Sequence, residues 1–151
     1  MEPIETVAMV GAGTMGSGVA QKAAQEGFQV QLIDRDKQSI DRGIGMISST
    51  LDEAVKRRIM TPEKVQTVLN NVIPVIDIKN VDVGTDIVIE AVFEDFNVKS
   101  TVFEIIDKSC AEHTIIATNT SSLSVNKLSK STNRPEKFIG LHFFYHPAKN
   151  R

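Results

Sequence analysis

This 151-residue sequence predicts an α/β fold built on a doubly wound, mostly parallel sheet with helices on both faces. Three observations lead there. Short apolar runs alternate with helix-compatible segments along the chain. Several runs are continuously apolar, as in Ile87-Val88-Ile89 and Ile115-Ile116-Ala117, the pattern of strands buried on both faces. The first run, Thr6-Val7-Ala8-Met9-Val10, opens directly into Gly11-Ala12-Gly13-Thr14-Met15-Gly16, a G-x-G-x-x-G turn with a helix-compatible segment behind it.

The strands expected are 5–10, 28–33, 72–76, 86–92, 114–118 and 138–143. Between the first two, residues 14–26 form a helix whose Ala20, Ala23 and Ala24 permit close approach to the sheet. Residues 37–59 form a long amphipathic helix. Its Ile40, Ile44, Ile47, Leu51, Val55 and Ile59 recur at steps of three or four on an otherwise polar cylinder. Thr61-Pro62-Glu63 supplies a capping hydroxyl, a first-position proline and a first-turn acid, so a separate short helix starts there. Val98, Val102, Ile105 and Ile106 mark a helix after strand 86–92, and a short helix near 123–130 follows strand 114–118. All of this fits one domain, residues 1–151.

Composition narrows the function. Hydrophobic residues make up 41% and charged residues 24%, ordinary for a globular protein, and a formal charge of −2 gives no electrostatic case for nucleic acid or an anionic membrane. No apolar run approaches the length of a membrane span, and Met1-Glu2-Pro3 opens no signal peptide, so a cytoplasmic protein is expected. The single cysteine, Cys110, excludes an internal disulfide and a cysteine-rich metal site, and no metal is expected. Cys110 itself reads as a buried or half-buried thiol near a helix end.

The glycine turn points to a dinucleotide. Gly11 allows the tight turn, Gly13 leaves the backbone open to a pyrophosphate, and Gly16 lets the new helix pack closely, while the helix start offers amides and a positive dipole end. Asp34 closes the second strand about twenty residues past the glycines, where a carboxylate accepts the ribose hydroxyls; this favours NAD over NADP, although Arg35 beside it offsets part of the repulsion of a 2′-phosphate. Ligands of such sheets bind beyond the carboxyl ends of the strands. There the sequence also places Glu94, Asp95 and Lys99, then Asn119, Thr120, Ser121 and Ser122, and finally His142. Each also admits a structural reading: Asp34 as a helix cap, Glu94 and Lys99 as an ion pair at a helix start, a Thr120-Ser121-Ser122 hydroxyl as a cap, and His142 as a core histidine. By composition alone the core reading of His142 is the better one, and His113 and His146 read as structural.

Taken together, Gly11-Ala12-Gly13-Thr14-Met15-Gly16, Ile89-Glu90-Ala91-Val92-Phe93-Glu94 with Lys99, Thr118-Asn119-Thr120-Ser121-Ser122-Leu123 and Gly140-Leu141-His142-Phe143-Phe144 resemble the L-3-hydroxyacyl-CoA dehydrogenase family, in the family's order across nearly the whole chain. The resemblance implies a Rossmann-like NAD-binding domain. The implied reaction oxidises the 3-hydroxyl of an (S)-3-hydroxyacyl-CoA, with hydride transfer to NAD, as in fatty-acid β-oxidation. It makes His142 the general base, a role suited to a side chain that titrates near neutrality. It puts Ser121 on the substrate 3-oxygen, Asn119 near cofactor and reacting carbon, and Glu94 and Lys99 around the nicotinamide ribose. It also implies CoA phosphate contacts on the face carrying Thr50 and Lys56 or Arg57. Two departures stand out: Tyr145-His146-Pro147 follows where the family has Asn-Pro, and the sequence ends at Arg151. In the family a glutamate about a dozen residues past the histidine orients it, and a helical C-terminal domain supplies a substrate asparagine, part of the acyl cleft and the dimer contact. The expectation is therefore a domain incomplete for catalysis alone. Two other readings are a non-catalytic nucleotide-binding subunit that docks to a partner, and a related NAD-dependent hydroxy-acid or sugar-acid dehydrogenase.

Overall fold

Six strands, β1 (Thr6–Val10), β2 (Gln29–Asp34), β3 (Val72–Ile76), β4 (Ile87–Glu90), β5 (Ile115–Thr118) and β6 (Phe138–Gly140), make one sheet in a computed structural model that describes residues 3–149. Every neighbouring pair is parallel, in the order β3-β2-β1-β4-β5-β6. The order reverses between β1 and β4, so the carboxyl ends of these two strands flank the crevice where such sheets bind ligands.

Alternate residues of each strand feed two cores. On one face Val7, Met9, Val30, Leu32, Ile87 and Ile89 pack against α1 (Thr14–Gln25), α2 (Lys37–Lys56) and α3 (Pro62–Asn70). On the other, Ala8, Val10, Ile33, Val88 and Ile116 pack against Phe103 and Ile106 of α4 (Phe96–Ser109) and Leu128 of α5 (Val125–Ser129). Helices on both faces explain why these strands read as continuous apolar runs. Ala20 and Ala24 of α1 are buried, as their small size predicts. In α2 the stripe of Ile40, Ile47 and Leu51 is fully buried, each contributing about 1.5–3 kcal/mol relative to exposure.

The stripe ends sooner than its periodicity suggests. Arg58 adopts the left-handed φ of 58°, the helix stops at Lys56, and Ile59 is left 73% exposed. In α4 the core contact is made by Phe103, which the apolar spacing of 98, 102, 105 and 106 passed over, together with Ile106; Val98 is exposed. Thr61 caps α3 as expected, its hydroxyl accepting from the Lys64 amide. Among the described residues no helix is long and apolar enough to cross a membrane.

Candidate functional site

The chain leaves β1 through Gly11 at φ +105°, where a β-carbon would also stand 2.6 Å from the Ala91 carbonyl oxygen. Glycine is required there on both counts. Gly16 is required as well: its β-carbon would lie 1.7 Å from the carbonyl oxygen of Gly11 and 3.7 Å from the Met9 side chain of β1, so it lets α1 close down on the turn as well as on the sheet. Gly13 differs from both. A β-carbon there would meet nothing within 4 Å, and Gly13 caps α1 without any side-chain hydrogen bond. The first turn of α1 carries no acid, so its amide end offers positive charge to an open space.

That space is a cavity of about 700 Å³ bordered by Gly11, Gly13, Asp34, Arg35, Val92 and Phe93. Asp34, the last residue of β2, and Asp36, two positions on, divide two jobs. Asp36 caps α2, accepting from the Ser39 amide at 2.7 Å, which holds its carboxyl below the usual range. Asp34 is thereby excluded as the cap; it accepts from Ala12 N–H at 2.8 Å and Arg35 N–H at 2.7 Å. A carboxylate has about four acceptor positions, so two remain for ribose hydroxyls. An open glycine, an uncapped helix start and a carboxylate at the next strand end together fit a dinucleotide.

A second cavity, about 360 Å³, shares the Ala91 and Val92 wall and reaches Met15, Glu94, Lys99, Asn119, Ser121 and His142. Lys99 is 1% exposed, and its ammonium donates to Glu90 Oε1 at 2.5 Å and to the Val92 carbonyl at 3.2 Å, and pairs with Glu94 Oε2 at 3.2 Å. The ion-pair reading of Glu94 and Lys99 is thus realised, and the pair also lines the cavity. Burial alone would push Glu94 up; hydrogen bonds from Thr120 and Ser122 and the Lys99 ammonium outweigh it and hold the carboxyl below the ordinary glutamate range.

The hydroxyl run divides as well. Thr120 is the capping member, accepting from the Leu123 amide while donating to Glu94, and Ser124 caps α5. Ser121 is exposed, and its hydroxyl has no hydrogen-bond partner among the described residues. His142 is an exposed wall of the cavity, its ring tilted 51° to that of Phe144 with centres 5.2 Å apart, which overturns the core-histidine reading. Asn119 sets its position: the side-chain oxygen accepts from Phe143 N–H at 2.8 Å, and its own N–H donates to the Glu90 carbonyl.

Thr50 borders a third cavity, about 710 Å³, with Ala12, Gly13, Arg42, Ser49 and His146. Lys56 and Arg57 are not on that wall; Arg57 pairs with Glu53 one turn away at 2.5 Å, and Arg42 is the cation present. His146 therefore faces a cavity, and exposed His113 lies 3.8 Å from Asp86. Cys110 is buried at the end of α4, as expected.

A family model described as 3-hydroxyacyl-CoA dehydrogenase, NAD binding domain, matches residues 6–150. The chain belongs to this family. NAD is the family's cofactor, in agreement with the open glycine turn and Asp34. Among curated relatives, the 3-hydroxyadipyl-CoA dehydrogenase of Escherichia coli K12 is 39% identical over 93% of this chain, and the 3-hydroxybutyryl-CoA dehydrogenase of Clostridioides difficile is 40% identical over 91%. The chain spans 30% and 49% of their lengths. The crystal structure of (S)-3-hydroxybutyryl-CoA dehydrogenase from Ralstonia eutropha is similar with a TM-score of 0.92 and 38% identity, covering 97% of this chain and 51% of that one.

Two features of this family member's site escaped sequence reasoning. Glu90, fully buried, accepts from Lys99, the Val92 amide and the Thr118 hydroxyl. Its signal was present: an acid closing an apolar run, with a lysine nine residues on. Arg42 had none beyond its position on the polar side of α2.

Proposed function

We propose that this chain is the cofactor-binding half of a dehydrogenase that oxidises the 3-hydroxyl of an (S)-3-hydroxyacyl-CoA to the 3-ketoacyl-CoA, as in fatty-acid β-oxidation, in the cytoplasm. One observation carries the reading: His142 and Ser121, delivered by different strand ends, line one cavity with Glu94 and Lys99, and that cavity shares a wall with the glycine turn.

In this reading the amides of residues 11–16 hold the pyrophosphate, Asp34 the adenosine ribose, and Glu94 and Lys99 the nicotinamide ribose. Bound NAD supplies the hydride acceptor. Ser121 donates a hydrogen bond to the substrate 3-oxygen and orients it. His142 accepts the hydroxyl proton as the C3–H bond breaks and the C3=O bond forms; the hydride carries both electrons away, so charge and atoms balance. Asn119, through the Phe143 amide, keeps His142 at the cavity mouth. A helical segment, covalent or separate, completes the acyl cleft and supplies a carboxylate to the imidazolium, an effect of several kcal/mol in comparable dyads.

The test is NADH production from 3-hydroxybutyryl-CoA by the 151-residue chain, alone and mixed with a helical C-terminal segment of a relative. Little turnover is expected alone and measurable turnover in the mixture, abolished by His142→Gln. Robust turnover by the chain alone, or indifference to His142→Gln, would overturn the reading.

A further inference from the structure

Glu90 takes no part in the reaction above, yet a charged group with no exposed surface is costly unless it is compensated. Three donors point at its two oxygens: Lys99 Nζ at 2.5 Å, the Val92 amide at 2.7 Å and the Thr118 hydroxyl at 2.7 Å. The Thr118 oxygen itself accepts from the Thr120 amide, so its proton is directed at Glu90. This is the hydrogen-bonding of an ionised carboxylate. Lys99, in turn, is shared between Glu90 and Glu94. Two carboxylates thus surround one ammonium, and the cluster carries a net charge of −1 at the wall of the smaller cavity. Lys99 with Glu94 alone would be neutral. A glutamine at 90 could still accept from the Val92 amide that ends β4, and it would leave the Lys99 ammonium paired with Glu94.

Resting on the proposed placement of the nicotinamide end in this cavity, we infer that Glu90 biases the site toward oxidised cofactor, binding NAD⁺ more strongly relative to NADH than a neutral cluster would. NAD⁺ and NADH share adenine, riboses and pyrophosphate and differ at the ring, which is cationic in one and neutral in the other. A buried charge near the ring acts on that difference and is weakly screened by salt. Lost packing or a loosened turn would act on both nucleotides alike. The ratio of the two dissociation constants therefore isolates the field from the scaffold.

The experiment is calorimetric titration of NAD⁺ and NADH into the unaltered chain, Glu90→Gln and Thr118→Val at one ionic strength. Glu90→Gln is expected to raise Kd(NAD⁺)/Kd(NADH) several-fold. Thr118→Val, which removes a partner of Glu90 but no charge, is expected to leave the ratio unmoved. Equal weakening of both nucleotides in Glu90→Gln, or an equal shift of the ratio in Thr118→Val, overturns the inference. Should Glu90→Gln not fold, Glu94→Gln removes the same charge from a partly exposed position and must move the ratio in the same direction; an unmoved ratio there is equally fatal. Binding of neither nucleotide by the unaltered chain would overturn the cofactor reading as well, whereas normal binding with an unmoved ratio overturns this inference alone.

Discussion

Adding one methyl group at each glycine of the turn separates what the turn does for the fold from what it does for the ligand. At Gly13 the methyl enters open space, with nothing within 4 Å. Alanine is a poorer cap than glycine by about 0.5–1 kcal/mol, and the stiffer unfolded chain returns about 0.4–1 kcal/mol, so stability is expected to stay within about 0.5 kcal/mol of the parent. At Gly11 the same methyl incurs about 1–3 kcal/mol for its positive φ and meets the Ala91 carbonyl at 2.6 Å. At Gly16 it would stand 1.7 Å from the Gly11 carbonyl, so the start of α1 must lift, an overpacking of about 1–3 kcal/mol or more. With about 2–4 °C per kcal/mol for a chain of this size, Gly11→Ala and Gly16→Ala should lose roughly 2–12 °C in Tm and Gly13→Ala less than about 2 °C. Binding inverts the order of interest. A methyl at Gly13 holds the pyrophosphate off the amides and forfeits at least one charge-assisted hydrogen bond, about 1.5–3 kcal/mol, or roughly 10- to 100-fold in Kd. Thermal unfolding with NADH titration on the three variants reads both quantities. A Gly13→Ala protein that binds NADH normally, or that melts as early as Gly16→Ala, would refute the reasoning.

Asp34 should make the chain prefer NAD(H) to NADP(H) in parallel calorimetric titrations. Asp34→Asn keeps an oxygen for the Ala12 amide and should narrow the gap by about tenfold; a parent that prefers NADPH would contradict the assignment. Acid should destabilise the fold through carboxyls held below their ordinary range, among them Glu94, Asp107 and Asp86. Asp107 is pulled up by burial but more strongly down by Asn133 and Arg134, and Asp86 is lowered by the amide of Glu5 and by Thr6. Because the folded pKa lies below the unfolded one, their stabilisation is fully present above the unfolded value and is lost as pH falls through the folded one. The urea midpoint should accordingly be flat above about pH 5 and drop below it, less steeply in Asp107→Asn; a flat profile to pH 3 would refute this. Burial pushes the Cys110 thiol up to about 11, so at pH 8 a disulfide reagent should label the native chain far more slowly than the urea-unfolded one, and equal rates would show that the thiol is not enclosed.

How much of this was legible depends on whether the deciding contact is local. The alternation of strands and helices, the two-sided cores and the α3 cap follow from runs, spacings and a Thr-Pro pair that each act within a few residues, whereas the strand order rests on distant pairs such as Val7 with Ile87. Where two neighbouring residues share a chemistry, sequence does not choose between them. Asp34 and Asp36 are both acids before a helix; the choice is made by the α2 start, whose Ser39 amide takes Asp36 and leaves Asp34 beside Ala12, twenty-two positions away. Thr120 and Ser121 are both hydroxyls, and it is Glu94 from another strand end that claims the first.

The ends of β4 and β6 show the same physics at work on the site itself. Each run continues apolar past the last ladder bond, so 86–92 and 138–143 read as longer strands than Ile87–Glu90 and Phe138–Gly140. At β4, Glu90 folds its carboxylate back onto the amide of Val92, two residues on, and the chain departs the sheet. At β6, Leu141 N–H still donates to the Thr118 carbonyl, but the next amide on that side, Phe143, is taken by the Asn119 side chain. A side chain has replaced the neighbouring strand as the partner: Leu141 and Phe143 still pack, partly buried, against the core, and His142 between them stands exposed at a cavity mouth. The polar residue that ends each strand is therefore also the one that builds the site: removing Asn119's oxygen, as in Asn119→Leu, would release the Phe143 amide and let an apolar segment settle back along β5. In this fold, strand termination and placement of the reactive side chain are one event.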